Sequence, residues 1–124
     1  MRFRDPIHGM IEVSKKEAEL IAHPAFQRLR YIRQLGTSYL VYHGAEHTRF
    51  GHSLGVMHLV SKAMDSLRIR KYLDDFDEPE FLKLKQIARI VGLLHDVGHG
   101  PFSHVGEDSG IYPDFICIMY NYTI

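Results

Sequence analysis

The chain has 124 residues, of which 45% are hydrophobic and 24% charged, a composition typical of one globular domain rather than of a disordered or fibrous chain. The 15 basic residues balance the 15 acidic ones, so the charge argues against a nucleic-acid or membrane-surface partner. The single cysteine, Cys117, excludes an internal disulfide and a cysteine-built zinc site, and it fits a reducing compartment. With no apolar run of about 20 residues and no signal core, we expect an intracellular protein, cytoplasmic or nuclear, with no membrane span.

The N-terminal part of the sequence predicts a hairpin followed by two helices. Residues 3–13 contain two turn-forming dipeptides and indicate a short β-hairpin. Ser14 and Glu17 form a capping-box pattern, which predicts a helix through about Ala22. Apolar residues at helical spacing predict a second helix over 23–36.

The remainder of the chain also indicates helices. Residues 37–49 are expected to form a loop or an extended segment, followed by a long helix from about 52 to 73. An acidic linker over 74–79 separates it from a helix over about 80–96, and a short helix is expected after Pro101. The predicted fold class is therefore mainly α with a short N-terminal β-hairpin.

Helical phase predicts where the histidines point. His52 shares a stripe of the long helix with Val56, Leu59, Ala63 and Leu67. His95 shares a stripe of the next helix with Phe81, Leu84, Ala88 and Val91. We expect both stripes to be buried, so that antiparallel packing of the two helices brings the two histidines together. His58 falls on the opposite face of its helix and is expected to be solvated.

The most informative segment is 93–104, which reads Leu-Leu-His-Asp-Val-Gly-His-Gly-Pro-Phe-Ser-His. Its glycines and proline break the helix, so side chains from the helix end and the following turn can converge. Imidazole and carboxylate are ligands that divalent transition metals favour. The alternative for each histidine, considered by itself, is that it lies in the core and donates a hydrogen bond to a backbone carbonyl. Two such histidines beside Asp96 favour a metal site, because burying all three without partners is costly.

Four sequence blocks, in order along residues 3 to about 107, resemble one family. They are Asp5-Pro6-Ile7-His8-Gly9, the segment 26–36, the segment 47–56 (His-Thr-Arg-Phe-Gly-His-Ser-Leu-Gly-Val), and the segment 93–104. Together they resemble the HD-domain metal-dependent phosphohydrolases, in the branch that hydrolyses deoxynucleoside triphosphates. The resemblance implies an HD-domain helical bundle, and it implies a homo-oligomer, although the elements that build family assemblies are largely missing from this sequence.

The resemblance also implies roles for single residues. Three positions match metal ligands of the family: His52, His95 and Asp96. This mixed nitrogen and oxygen set suits iron, manganese or zinc, with magnesium a further candidate. Arg49 matches a phosphate-binding arginine, and Gln34 matches a residue that hydrogen-bonds the sugar. The alternatives are a surface cation for Arg49 and an ordinary polar residue near a helix end for Gln34.

Three further positions match catalytic residues of the family. His99 and His104 match histidines that contact the phosphates and assist proton transfer. Glu107 stands where the family has an aspartate that pairs with a catalytic histidine. The family's fourth metal ligand, an aspartate, comes from beyond position 124. Asp108 or Asp114 could take the place of that ligand, but no family motif supports either residue.

We therefore expect 1–110 to be the N-terminal part of an HD domain, incomplete at its C-terminus, and 111–124 to be a diverged or truncated tail. The expected function is metal-dependent hydrolysis of deoxynucleoside triphosphates to deoxynucleoside and inorganic triphosphate, with the triphosphate as partner. The alternative is a truncated, non-catalytic remnant that binds nucleotide, metal or a full-length partner. The presence of a fourth, carboxylate metal ligand is the feature that distinguishes the enzyme from the non-catalytic alternative.

Overall fold

The computed structural model describes residues 1–101. In this part of the chain the elements are β1 (Arg2–Asp5), β2 (Gly9–Glu12), α1 (Lys15–Ala22), α2 (Pro24–Gln27), α3 (Arg49–Ile69) and α4 (Glu78–Leu94). This confirms the predicted fold class, mainly α with an N-terminal hairpin. Of the helices described, none combines the length and apolarity that a membrane span requires. The predicted helix after Pro101 and the predicted boundary at 110 lie outside the described residues.

The described chain divides into two compact units. The first consists of Met1–Leu20 and Ser53–His95, and the second of Ile21–His52 and residues 96–101. Buried apolar side chains form a core in each unit. In the first they are Ile11, Val13, Leu54, Met57, Phe81 and Leu93, and in the second they are Ile21, Phe26, Leu29, Ile32, Ala45 and Phe50.

The hairpin forms as its turn residues predict. Asp5 pairs with Gly9, and the register runs on to Arg2 opposite Glu12. The Asp5 carboxylate accepts hydrogen bonds from the backbone N–H groups of Ile7 and His8, both at 2.8 Å, which closes the turn. Gly9 has a φ of +74°, a conformation that glycine adopts without steric cost.

The capping box before α1 is also confirmed. The Ser14 N–H donates to Glu17 Oε2 at 2.8 Å, and the Glu17 N–H donates to Ser14 Oγ at 3.3 Å. Glu17 is in addition fully buried, where it accepts a hydrogen bond from Arg89 at 2.6 Å. A capping residue is thus also half of an ion pair with α4, a contact between residues 72 positions apart.

Within the first unit, the residues of α3 from Ser53 onward pack antiparallel to α4, as expected. A Cβ at Gly92, near the end of α4, would lie 3.2 Å from Val60 and 3.4 Å from Val56. About two turns earlier in α4, Lys85 forms a 2.6 Å salt bridge with Asp65, further along α3. The absence of a side chain at Gly92 therefore permits the close approach of the two helices.

The predicted buried stripes are wrong in part. Leu59 of the α3 stripe is 50% exposed and Val91 of the α4 stripe is 63% exposed, whereas Leu54 and Met57 are buried. Both the predicted face of α3 and the face that is actually buried are apolar. The face that contains Met57 is buried because Gly92 allows α4 to approach it closely. Periodicity alone could not choose between two apolar faces.

The second helix is much shorter than predicted. α2 ends at Gln27 and continues only as a 3-10 turn over Arg28–Tyr31, not to Gly36. The next residues pair instead with the segment before α3: the Gln34 N–H donates to the His47 carbonyl, and the Arg49 N–H to the Ile32 carbonyl. This distant pairing satisfies backbone groups that a longer helix would have bonded locally. The predicted loop over 37–49 contains two 3-10 turns, Ser38–Leu40 and His43–Glu46.

The long helices also start earlier than predicted. α3 begins at Arg49 rather than His52 and ends at Ile69 rather than near 73. α4 begins at Glu78, because Asp77 and Glu80 form a capping box with bonds of 2.8 and 3.1 Å. It ends at Leu94, so Asp96 lies just beyond the helix.

Candidate metal centre

Asp96 is the centre of a polar cluster in the second unit. Its side chain is 8% exposed, and Oδ2 accepts a 2.7 Å hydrogen bond from Arg49 Nη1 in the first turn of α3. The Arg49 side chain is 2% exposed, so the alternative of a surface cation is wrong. A carboxylate buried to this degree needs charged or hydrogen-bonding partners.

Three other predicted residues approach the same carboxylate. His52 Nε2 lies 3.7 Å from Oδ2, and His99 Nε2 lies 3.6 Å from Oδ1. Gln34 Nε2 lies 3.4 Å from Oδ2, at the long limit of a hydrogen bond, while its Oε1 is buried with no partner in the described structure. Residues from α3, from the segment before it and from the turn after α4 therefore meet at Asp96.

The ligand atoms of His52, His95 and Asp96 all lie within 4.8 Å of one another. His95 is exposed, and its Nδ1 lies 2.8 Å from the Gly92 carbonyl. That contact favours the tautomer with the proton on Nδ1, which makes Nε2 the candidate ligand atom. Two imidazoles and one carboxylate with mutually close donor atoms fit a divalent metal ion. Their oxygen and nitrogen donors do not select among iron, manganese, zinc and magnesium.

Two predicted catalytic residues, His104 and Glu107, lie outside the described residues, as do both candidate substitutes for the fourth ligand. Among residues 1–101, the side chains grouped closely enough to hold a metal ion are therefore His52, His95 and Asp96.

Sequence reasoning missed one residue beside the cluster. Arg28, to which the sequence assigned no role at the site, is half-buried, and it donates to the carbonyl oxygens of Val97 at 2.5 Å and His99 at 2.9 Å. Burial lowers the pKa of its guanidinium, which stays charged. Nothing local in the sequence distinguishes Arg28 from the neighbouring Arg30 and Arg33, so only the tertiary contact reveals it.

The expectation for His58 is wrong. It is half-buried in the first unit, its ring centroid lies 5.3 Å from that of His8, and its Nε2 is buried with no hydrogen-bond partner among the described residues. Burial lowers its pKa, and the charges of Lys62 and His8 lower it further. The hairpin turn that carries His8 covers this face of α3, which helical phase could not predict.

The helical fold and the His–Asp group, which could hold a metal ion, are features of a known family. Residues 49–118, more than half of the chain, match the HD domain. The chain therefore belongs to the HD-domain family, as the sequence motifs predicted. HD domains are metal-dependent, which agrees with the group formed by His52, His95 and Asp96.

Several curated proteins are similar to most of this chain. It is 47% identical over 106 residues to the uncharacterized protein YwfO of Bacillus subtilis. It is 47% identical over 103 residues to the deoxynucleoside triphosphate triphosphohydrolase SAMHD1 of Gallus gallus, and 46% identical over 101 residues to that of Homo sapiens. These matches cover 82–85% of this chain but only 16–23% of the relatives' length, so the similarity is at the level of one domain segment.

Proposed function

We propose that this chain carries the metal-binding segment of a phosphohydrolase that cleaves deoxynucleoside triphosphates to deoxynucleoside and inorganic triphosphate. The observation that carries the proposal is the close group of His52, His95 and Asp96, with Arg49 bonded to Asp96. The substrate class rests on the activity for which the SAMHD1 relatives are named, which is a property of those longer proteins.

His52, His95 and Asp96 would hold the metal. When bound there, a divalent metal supplies Lewis acidity and lowers the pKa of a nearby water molecule. In the proposed reaction a water oxygen bonds to the α-phosphorus and the bond from phosphorus to the sugar O5′ breaks. A proton reaches O5′, so the products are a deoxynucleoside and triphosphate.

The other residues of the cluster have complementary chemistry. The Arg49 guanidinium presents N–H donors in a plane, a geometry that suits phosphate oxygens as well as the Asp96 carboxylate. His99 is an imidazole beside Asp96, and an imidazole can act as a proton donor or acceptor in catalysis. Gln34, with a buried carbonyl oxygen that lacks a partner among the described residues, can accept a hydrogen bond from a sugar hydroxyl.

The test combines metal analysis with product detection. The purified chain is loaded with iron, manganese, zinc or magnesium, its metal content is measured, and triphosphate release is followed with each of the four common deoxynucleoside triphosphates. We expect one metal per chain and triphosphate release that requires it. The variants Asp96→Ala and His52→Ala should lose both, while His43→Ala, an exposed histidine outside the group, should retain both.

Each other outcome contradicts part of the proposal. Activity that survives Asp96→Ala would overturn the metal-dependent reaction. Stoichiometric metal binding without triphosphate release would instead favour the alternative function, a non-catalytic protein that binds metal or nucleotide.

A further inference from the structure

Arg28 connects the two sequence segments that make up the second unit. From the 3-10 turn after α2, its Nη1 and Nη2 donate to the carbonyl oxygens of His99 and Val97, 71 and 69 residues away. The planar guanidinium thus binds two carbonyl groups of one turn with two separate N–H groups. This bidentate arrangement fixes orientation as well as distance.

The turn that Arg28 binds carries part of the candidate site. It starts from Asp96, whose carbonyl accepts the His99 N–H at 3.2 Å, and it places His99 Nε2 3.6 Å from Asp96 Oδ1. Gly98 lies within this turn and gives its backbone many alternative conformations. The backbone bond from His99 to Asp96 is by itself a weak restraint on such a segment, so the two bonds from Arg28 restrict the conformation of the turn further.

Arg28 directly follows two residues that are held by packing and hydrogen bonding. Phe26 is buried and packs edge-on against Phe50, with ring centroids 5.5 Å apart. Gln27 donates to the Ile21 carbonyl at 2.7 Å. Because Phe50 follows Arg49 in the first turn of α3, this segment is fixed relative to the element that supplies Arg49.

We propose that Arg28 is a positioning residue, which holds the turn 97–99 so that the His99 imidazole faces the Asp96 carboxylate. The catalytic consequence rests on the proposed function, because it assumes that His99 takes part in hydrolysis. The positional role itself does not depend on that function, and it can be measured in the protein without substrate.

The first experiment measures the turn directly. Amide hydrogen exchange at His99 and the imidazole NMR signals are compared in the wild-type protein, Arg28→Gln and Arg28→Lys. In Arg28→Gln we expect about tenfold faster exchange at His99, the effect of losing a hydrogen bond of typical strength. The imidazole signals of His99 should shift while those of His58, in the first unit, stay unchanged. Arg28→Lys, which keeps the charge but not the planar fork, should recover part of the protection.

The control is Arg70→Gln, which removes an exposed arginine from the other unit. It should leave exchange at His99 and the His99 signals unchanged. Unchanged His99 exchange and signals in Arg28→Gln would overturn the proposal. Equal shifts of all histidine signals, with a matching loss of thermal stability, would also overturn it, because they indicate a general structural role.

The second experiment measures catalysis. In Arg28→Gln we expect kcat for triphosphate release to fall about tenfold to hundredfold, as small displacements of a catalytic group do. KM and the dissociation constant of the bound metal should stay within about twofold, because neither the metal ligands nor Arg49 is changed. A raised KM with unchanged kcat would contradict positioning of His99. Absence of triphosphate release in the wild-type protein would refute the proposed function, while the exchange and NMR measurements would still decide the role of Arg28.

Discussion

Arg49 and Asp96 form a buried ion pair, with 2.7 Å between Nη1 and Oδ2 and side-chain exposures of 2% and 8%. The two residues are 47 positions apart, one in the first turn of α3 and the other just beyond α4. Both charges have lost hydration, so the pair adds little net stability, but each partner depends on the other. The same bond holds the candidate metal ligand and the candidate phosphate-binding residue side by side.

The buried pair predicts strong coupling between two substitutions. In metal-free protein, Arg49→Met and Asp96→Leu should each lower the free energy of unfolding by about 3–5 kcal/mol, because each leaves a buried charge uncompensated. The double variant should recover most of that loss, since it buries no charge. Urea denaturation of the four proteins gives the coupling energy, and additive losses in the double variant would contradict the prediction.

An exposed ion pair provides the control for this cycle. Arg2 and Glu12 lie 3.0 Å apart across the hairpin, with side-chain exposures of 67% and 73%. Arg2→Ala should change the free energy of unfolding by no more than about 1 kcal/mol, because solvent screens the pair.

Glu17 predicts a loss of stability in acid. Burial alone would raise its pKa, but the hydrogen bonds from Arg89 and from the Ser14 N–H, with the charge of Arg89, bring the pKa below 4.5. The unfolded state therefore binds a proton more readily than the folded state. The stability that Glu17 contributes is fully present above about pH 4.5 and is lost as the pH falls through the folded pKa.

The variant Glu17→Gln tests this linkage. Its deficit in unfolding free energy relative to the wild-type protein should be largest at neutral pH and should shrink as the pH falls below about 4.5. Urea denaturation at a series of pH values measures it, and a deficit that is the same at all pH values would refute it. Glu19→Gln, on the exposed face of the same helix, should change stability by less than about 0.5 kcal/mol.

The half-buried His58 is expected to cause a second loss of stability on acidification, in a higher pH range than the loss caused by Glu17. Burial lowers its pKa below 6.5, and the positive charges of Lys62, His8 and Arg89 outweigh the opposing effect of Asp5. The folded state thus favours the neutral imidazole, and stability should fall as the pH decreases from about 6.5 to the folded pKa. An NMR titration should place the His58 midpoint below 6.5, and Lys62→Met should raise that midpoint. A midpoint unchanged by Lys62→Met would contradict the electrostatic part of this explanation.

Two glycines in helices are expected to respond differently to substitution by alanine. A Cβ at Gly51 meets nothing within 4 Å, so Gly51→Ala should raise the free energy of unfolding by about 0.5–1 kcal/mol through helix propensity. A Cβ at Gly92 would lie 3.2 Å from Val60, so Gly92→Ala should fall short of that gain by about 1 kcal/mol or more. Thermal or urea denaturation measures both, and equal gains would show that the α3–α4 contact relaxes freely.

Features that depend on neighbours a few positions away were predicted correctly. The hairpin turn at Asp5, the capping box of Ser14 and Glu17, and the family motifs around His52 and His95 all belong to this class. For the turn and the cap the physical cause is local, because each closes hydrogen bonds within two or three residues.

Features that depend on distant residues were missed or misplaced. The second helix stops early because Ile32 and Gln34 bond to Arg49 and His47, and α3 buries the Met57 face because Gly92 permits close approach there. His58 is half-buried because the hairpin turn returns over α3. Each of these features depends on a contact with a residue in another segment, which the periodicity of a single segment cannot reveal.

The candidate site has some features that the sequence predicts and others that depend on contacts between distant residues. The amino-acid sequence by itself determined the family through its motifs. Residue type and helical spacing indicated a metal site at His52, His95 and Asp96, and the resemblance to the family added Arg49 and Gln34 as candidates. Only the tertiary structure decided that Arg49 is bonded to Asp96 and that Arg28 binds the turn of His99. Those contacts join residues 47 and 71 positions apart, and which donor reaches which acceptor over such distances depends on how the chain packs.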